Sequence, residues 1–359
     1  MNVNIKLVFA RNSAIEYTLP MTCDIKHRIL LPLLAGILSL FCTIAAHAAP
    51  PLRYRICSAE EGRAYFASDK FHEQMTPFTI NLCLDKENAT YEEWMERNLA
   101  NIRDAREDMQ LMLDSIAAEH SAVLDTLGIT LPIGQEIEFV DLDFKNFGNA
   151  GGCTSSSHIY VNLDHIRRSR NRCKTGWQAL YNELLWHELW HIVSRNNPEL
   201  RRRMYDLIGF RILPEEICIP EEIRKGIIFN PDVERHDAYG TFTIEGQPTD
   251  CLLLLYSPTT EYVAGKTIND YLVGNRAYYM LALDKVTHQP LRNADGSWAL
   301  HHVTEASDFK EVMSNGNTSY CDDPEECIAD NFARAMLCVD RLFRNPSMLE
   351  AIREILRVN

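Results

Sequence analysis

Hydrophobic positions recur at helical spacing in several stretches of the chain. Trp94, Ile102, Met109, Met112, Ile116 and Leu124 follow Thr90 and Glu93, a capping-box pair, and precede Gly128, a natural stop, so one long helix is predicted there. A second helix is predicted from about Thr175 to Asn196 or Asn197, and a short one over 198–208, opened by Pro198 and closed by Gly209. Ile328, Phe332, Met336 and Val339 place another over 324–342, with Asp322 and Asp323 positioned to cap its first turn, and a last helix follows over 346–356. Strand-like runs occupy 137–144 and 158–163, separated by a glycine-rich loop at 148–152. Four more, at 240–245, 252–256, 278–283 and 299–303, give a β-rich insertion or subdomain over 229–303. Residues 53–84 hold only short apolar runs, bracketed by Cys57 and Cys83, and read as an irregular piece stapled by disulfide. No linker or internal repeat interrupts the chain. The class expected is α+β, with an N-terminal part at 49–228 and a helical C-terminal part at 304–359.

The first 48 residues stand apart from this pattern. Met21 offers a second start, Lys26 and Arg28 a basic stretch, residues 29–44 an apolar run, and Ala46-His47-Ala48 a small-residue cleavage signal. A secretory signal region over 1–48 is therefore expected, with a periplasmic or secreted protein and no stable membrane insertion after cleavage. Its removal takes away four basic and two acidic residues, leaving 32 basic against 48 acidic and a net charge of −16. So acidic a chain is a poor partner for nucleic acid. Nine cysteines remain of eleven; export argues for disulfides among them, and their odd number leaves at least one thiol over. There is no C-x-x-C pair to hold a thiolate metal or a redox couple.

The chemistry concentrates in Trp186-His187-Glu188-Leu189-Trp190-His191. On a helix, side chains four apart lie one above the other, so His187 and His191 aim both imidazoles at a common point. Glu188 lies about 100° round from His187, beside that clamp, where a carboxylate addresses a water rather than a metal.

This H-E-x-x-H resembles the zincin metallopeptidases. The resemblance implies a zincin-like α+β fold, with the active-site helix packed on a small, mostly antiparallel sheet, and a Zn²⁺ cofactor. It also implies a strand along the cleft that pairs with extended substrate; residues 158–163 are the candidate, with an interior strand the equal alternative. A catalytic zinc keeps three protein ligands and one open position. In the metzincin pattern a glycine and a third histidine follow the motif, but Ser194 and Asn197 stand there. The gluzincin branch, with thermolysin its familiar member, draws its third ligand from E-x-x-x-D on a later helix. Glu326-Cys327-Ile328-Ala329-Asp330 is similar, 135 residues after His191. The resemblance makes Glu326 the third ligand and Asp330 the carboxylate that orients a ligating histidine. Glu325 is the fallback ligand. Asp237-Ala238-Tyr239-Gly240, partly similar to the aspzincin pattern, supplies the rival Asp237. The resemblance also calls for a Tyr or His that stabilises the oxyanion, and His236, Tyr239 and Tyr320 are the candidates. The G-x-M-E-N signature of the related aminopeptidases is absent. The implied activity is a zinc endopeptidase acting on peptide or protein substrates with Glu188 as general base. Two alternatives stay open: a non-catalytic zincin-like binding module, and a zinc hydrolase of cell-wall peptides.

Overall fold

The computed structural model describes residues 51–147, 151–172, 180–272, 277–313 and 316–357. The signal region over 1–48 lies outside them. No helix among the described residues is long and apolar enough to cross a membrane.

The chain is α+β. It opens with strand β1 (Arg53–Ile56), helix α1 (Ala59–Ser68), a 3-10 turn over Phe71–Gln74 and helix α2 (Pro77–Leu84). This piece is regular rather than irregular, because Ser58 caps α1 in a reciprocal box with Glu61 and Thr76 caps α2 with Pro77 at its first position. Cys57 and Cys83 are buried free thiols, and so no staple joins them. The other cysteines among the described residues are also free; Cys173 lies outside that set.

The single helix expected after Thr90 is two helices. Thr90 does cap α3 (Tyr91–Ala100), accepting the N–H of Glu93 at 3.2 Å. The chain then leaves the helix to form β2 (Ile102–Arg103) and re-enters it as α4 (Glu107–Leu127), which Gly128 ends at φ 65°. Local spacing allowed a continuous helix, but tertiary pairing overrode it. Ile102 and Arg103 pair with Leu142 and Asp141 of strand β3 (Glu136–Leu142), and Arg103 also forms an ion pair with Asp141 at 2.7 Å.

Strands β4 (Gly152–Ser155) and β5 (His158–Val161) form a hairpin and complete the first sheet, in the order β1-β3-β5-β4 with β2 alongside β3. The sheet is mixed, not mostly antiparallel: β1/β3 and β3/β5 are parallel, while β2/β3 and β4/β5 are antiparallel. The strand expected at the cleft edge, β5, is interior, flanked by β3 and β4. The edge belongs to β4, of which the sequence pattern places only Gly152, in the glycine-rich loop, and leaves the rest unassigned.

Helices α5 (Leu163–Arg172), α6 (Leu180–Asn196) and α7 (Pro198–Asp206) follow. The expected start of α6 near Thr175 lies outside the described residues. A second sheet, antiparallel throughout, has the order β10-β9-β8-β7-β6. It comprises β6 (Arg211–Ile212), β7 (Ala238–Ile244), β8 (Gln247–Leu255), β9 (Tyr278–Ala282) and β10 (Leu300–His302). Helix α8 (Pro324–Leu337) ends five residues early, where Cys338 turns left-handed at φ 55°, and α9 (Pro346–Arg357) closes the chain. Phe139 and Ile159 of the first sheet, Trp186 and Trp190 of α6, Leu253 and Met280 of the second sheet, and Phe332 of α8 belong to one continuous buried cluster. The β-rich part thus shares the core of the helices.

Candidate functional site

Helix α6 is enclosed on both faces: Leu185, Trp186, Leu189, Trp190 and Val193 are fully buried on its apolar side, and His187, Glu188, His191 and Ser194 are buried on its polar side. Phe332 of α8 sits against both indoles, at ring-centroid distances of 6.2 and 5.5 Å, and His120 of α4 stacks on Trp186 at 4.0 Å. This packing fixes the rotation of α6, and hence the direction of His187 and His191, whose rings lie 4.9 Å apart.

Helix α8 brings three carboxylates to them. Asp323 caps it, accepting the Glu325 N–H at 2.8 Å, and Glu325 and Glu326 occupy the first turn, where the helix dipole favours negative charge. Glu326, fully buried, points Oε2 to within 2.9 Å of His187 Nε2 and 3.9 Å of His191 Nε2. His187 donates from Nδ1 to Asp330 Oδ1 (3.0 Å), and His191 from Nδ1 to Glu325 Oε1 (3.0 Å). Both imidazoles are therefore held by their far nitrogens, leaving Nε2 of each for a ligand. His191 Nε2 is buried without a hydrogen-bond partner, and among the described residues Glu326 Oε2 meets the two imidazole Nε2 atoms. Those three ligand atoms lie within 4.8 Å of one another and could hold a metal ion.

Glu325, the fallback ligand, is therefore an orienting group. Two residues adjacent on a helix point about 100° apart, and the one that faces the metal point is Glu326. Tyr205 donates to Glu325 Oε2 at 2.6 Å. Burial raises Glu325, but the His191 hydrogen bond and the charges of His191 and Arg201 outweigh it and hold the carboxyl at about 2. Asp330 is likewise held low against its burial by His187 and Arg334, and Thr318 donates to it. The rival Asp237 is elsewhere, engaged by Arg201 at 2.7 and 3.0 Å and by Arg235 at 3.2 Å.

Glu188 stands beside the clamp, 1% exposed, with Oε2 accepting the Thr154 hydroxyl of β4 at 2.7 Å. Burial pushes its carboxyl up, while the two histidines pull it down by less. A raised, positioned carboxylate is the description of a general base. A Cβ at Gly152 would sit 3.0 Å from Glu188 Oε1 and 3.2 Å from the Tyr160 carbonyl, so any larger residue there would crowd the Glu188 carboxylate.

Of the three oxyanion candidates only Tyr320 is at the site, stacked on the His187 ring at 6.1 Å and accepting Asn230 Nδ2 at 3.3 Å. His236 lines a neighbouring cavity, half-buried, and is pushed down to about 4 by desolvation and by Arg224. Tyr239 packs on His288 in the second sheet.

Two site residues escaped the sequence reading. Asn230 donates to Glu326 Oε1 at 2.7 Å. Asp232 accepts the Thr154 N–H at 2.7 Å and lies 3.9 Å from His191 Nε2; burial, then the nearby Glu188 charge, pushes it up to about 7. Both come from an irregular segment with no spacing rule to announce it; the polar Asn230-Pro231-Asp232 after an apolar run was the available signal. A cavity of about 310 Å³ opens onto the site, lined by His187, Glu188, Asp232 and Tyr320 and by apolar groups including Leu184 and Phe229.

Comparison with protein-family models, with curated proteins and with solved structures found no match.

Proposed function

We propose that this protein is an exported zinc-dependent peptidase with a zincin-like site of the gluzincin type. The observation that carries the reading is the convergence of His187 Nε2, His191 Nε2 and Glu326 Oε2 on one point, with both histidines fixed from behind by Asp330 and Glu325. Two nitrogens and one carboxylate oxygen, with room left for a fourth partner, are the donor set of a catalytic zinc. The surroundings fit a divalent cation as well. Glu188, Asp232, Asp322, Glu325, Glu326 and Asp330 are all buried or nearly so around the two histidines, a surplus of negative charge that a cation offsets. When bound, zinc supplies Lewis-acid activation of water and polarisation of a carbonyl.

The side chains perform the rest. Glu188, steadied by the Thr154 hydroxyl, takes the proton from the attacking water and returns it to the leaving amine. The Tyr320 hydroxyl, facing the same cavity, donates to the oxygen that becomes negative as the carbonyl is attacked. Leu184 and Phe229 give the cavity an apolar wall that excludes water and takes an apolar substrate side chain.

Replacement Glu188→Gln tests this directly. Zinc content by elemental analysis should stay near one per chain, while kcat/KM on peptides falls by about 10² to 10⁴, the usual contribution of a general base. Full activity in that variant, or an unsubstituted protein that neither retains zinc nor cleaves peptides when zinc is added, overturns the proposal.

A further inference from the structure

The outer side of β4 is the backbone surface of the site that an extended peptide can pair with. In an antiparallel ladder successive residues turn their N–H and C=O alternately toward and away from the partner strand. Thr154 turns its pair away from β5, since its N–H goes to Asp232 Oδ1 at 2.7 Å and its C=O receives Arg195 Nη1 at 2.8 Å. Gly152, two residues earlier and in the same phase, lines the cavity beside His187 and Glu188. Among the described residues, the free edge is thus open at Gly152 and closed at Thr154.

The closure is built, not incidental. Arg195 also donates to the Asp232 carbonyl at 3.2 Å and pairs with Glu234 at 3.0 Å, while Asn230 is tied to Glu326. Residues 230–234 are therefore laced across the end of the groove. A peptide pairing in the antiparallel sense, the more stable ladder, runs opposite to β4. Its amino-terminal direction then points at Thr154, whose N–H and C=O are already taken, so backbone pairing with β4 stops there. What it meets is the Asp232 carboxylate, 6% exposed, whose Oδ2 takes no hydrogen bond among the described residues. Ionised, that group is complementary to an ammonium ion, whose charge offsets the burial and the Glu188 charge that otherwise disfavour the carboxylate.

We propose that Asp232 receives the free α-ammonium group of the substrate, so that the latch of Asp232 and Arg195 directs cleavage to the amino-terminal end of peptides. This rests on the peptidase reading and narrows it from an endopeptidase to an enzyme of chain ends. The ammonium receiver comes from the 230–234 segment, which explains why no G-x-M-E-N signature is needed for it.

One synthetic peptide in three forms, unmodified, N-acetylated and C-amidated, provides the test. With the zinc-loaded protein, the unmodified and amidated forms should be cut within the first few bonds. Acetylation should lower kcat/KM by about tenfold or more, the worth of a charge-assisted hydrogen bond. Binding of the same three peptides to the Glu188→Gln protein, followed by calorimetry, should show the same preference without turnover, and adding Asp232→Asn should abolish it. Equal handling of free and acetylated peptides in both assays overturns the inference, as does sensitivity to amidation instead. If no form is hydrolysed but the binding preference holds, the peptidase reading fails and the ammonium site stands. Internal cleavage with no preference gives the reverse. The acetylation comparison involves no substitution at Asp232, so it decides the matter even where Asp232→Asn fails to fold.

Discussion

At the scale of single residues, the site separates side chains that face the point where a metal ion could sit from those that hold them. Glu326, Glu325 and Asp330 lie within five positions on one helix, yet they act on different atoms. Glu326 faces Nε2 of His187 and His191, Glu325 holds His191 Nδ1, and Asp330 holds His187 Nδ1. Replacing an orienting carboxylate leaves the ligand set intact but frees an imidazole to rotate, which weakens metal sites by roughly 10- to 100-fold. Glu325→Gln and Asp330→Asn are therefore expected to lower zinc affinity by that amount, measured by competition with a chelator, and Glu326→Gln to lower it further. A Glu325→Gln loss equal to or greater than that of Glu326→Gln would exchange their roles. The i, i+4 spacing of His187 and His191 was legible in the sequence because helix geometry alone dictates it. Glu326 was ranked over Glu325 only through the E-x-x-x-D resemblance, because spacing alone leaves the choice to the rotation of α8 about its axis, which Phe332 sets by packing on Trp186 and Trp190.

At the scale of elements, α6 is braced from below by a polar network that carries a pH dependence. His120 donates from Nε2 to Asn182 Oδ1 at 2.7 Å, accepts the Tyr54 hydroxyl at Nδ1 at 2.6 Å, and stacks on Trp186. Burial pushes its imidazole down to about 4, from an ordinary value near 6.5. Between those values the unfolded chain binds a proton there and the folded one does not, so unfolding gains free energy as pH falls. Stability should therefore decline from about pH 6.5 to pH 4, by up to about 3 kcal/mol from this group. Denaturant midpoints across that range should show a shallower slope in His120→Gln than in the parent, and an unchanged slope would assign the acid sensitivity elsewhere. The elements themselves were legible where period and punctuation agreed, as in α7, with Pro198 and Gly209, and in β7 to β10 of the second sheet, whereas the two residues of β6 are too few to show a period. They were not legible where a long-range partner intervened: Ile102 fits a helical stripe, but β3 takes it as a strand residue.

At the scale of the whole molecule, both sheets and helices α6 and α8 contribute to one buried cluster, and the group that could hold a metal ion, His187, His191 and Glu326, sits on those two helices among further buried carboxylates. Anything bound only by the folded state stabilises it by mass action, by about 4 kcal/mol at a thousand times its dissociation constant. Chelation is expected to lower the melting temperature by on the order of 10 °C, with zinc restoring it, as read by calorimetry. A melting curve indifferent to chelator would remove the metal from the fold's support. The sequence by itself determined the α+β class and the two-histidine face of α6 with Glu188 beside it, because these follow from periods of two and 3.6 and from local capping. Only the tertiary structure decided that β4 rather than β5 is the edge strand, that Glu325 holds a histidine instead of facing the metal point, and that Asn230 and Asp232 enter the site at all. Those outcomes depend on strand order, helix rotation and the path of an irregular segment, each set by contacts between residues tens to more than a hundred positions apart, on which local spacing is silent.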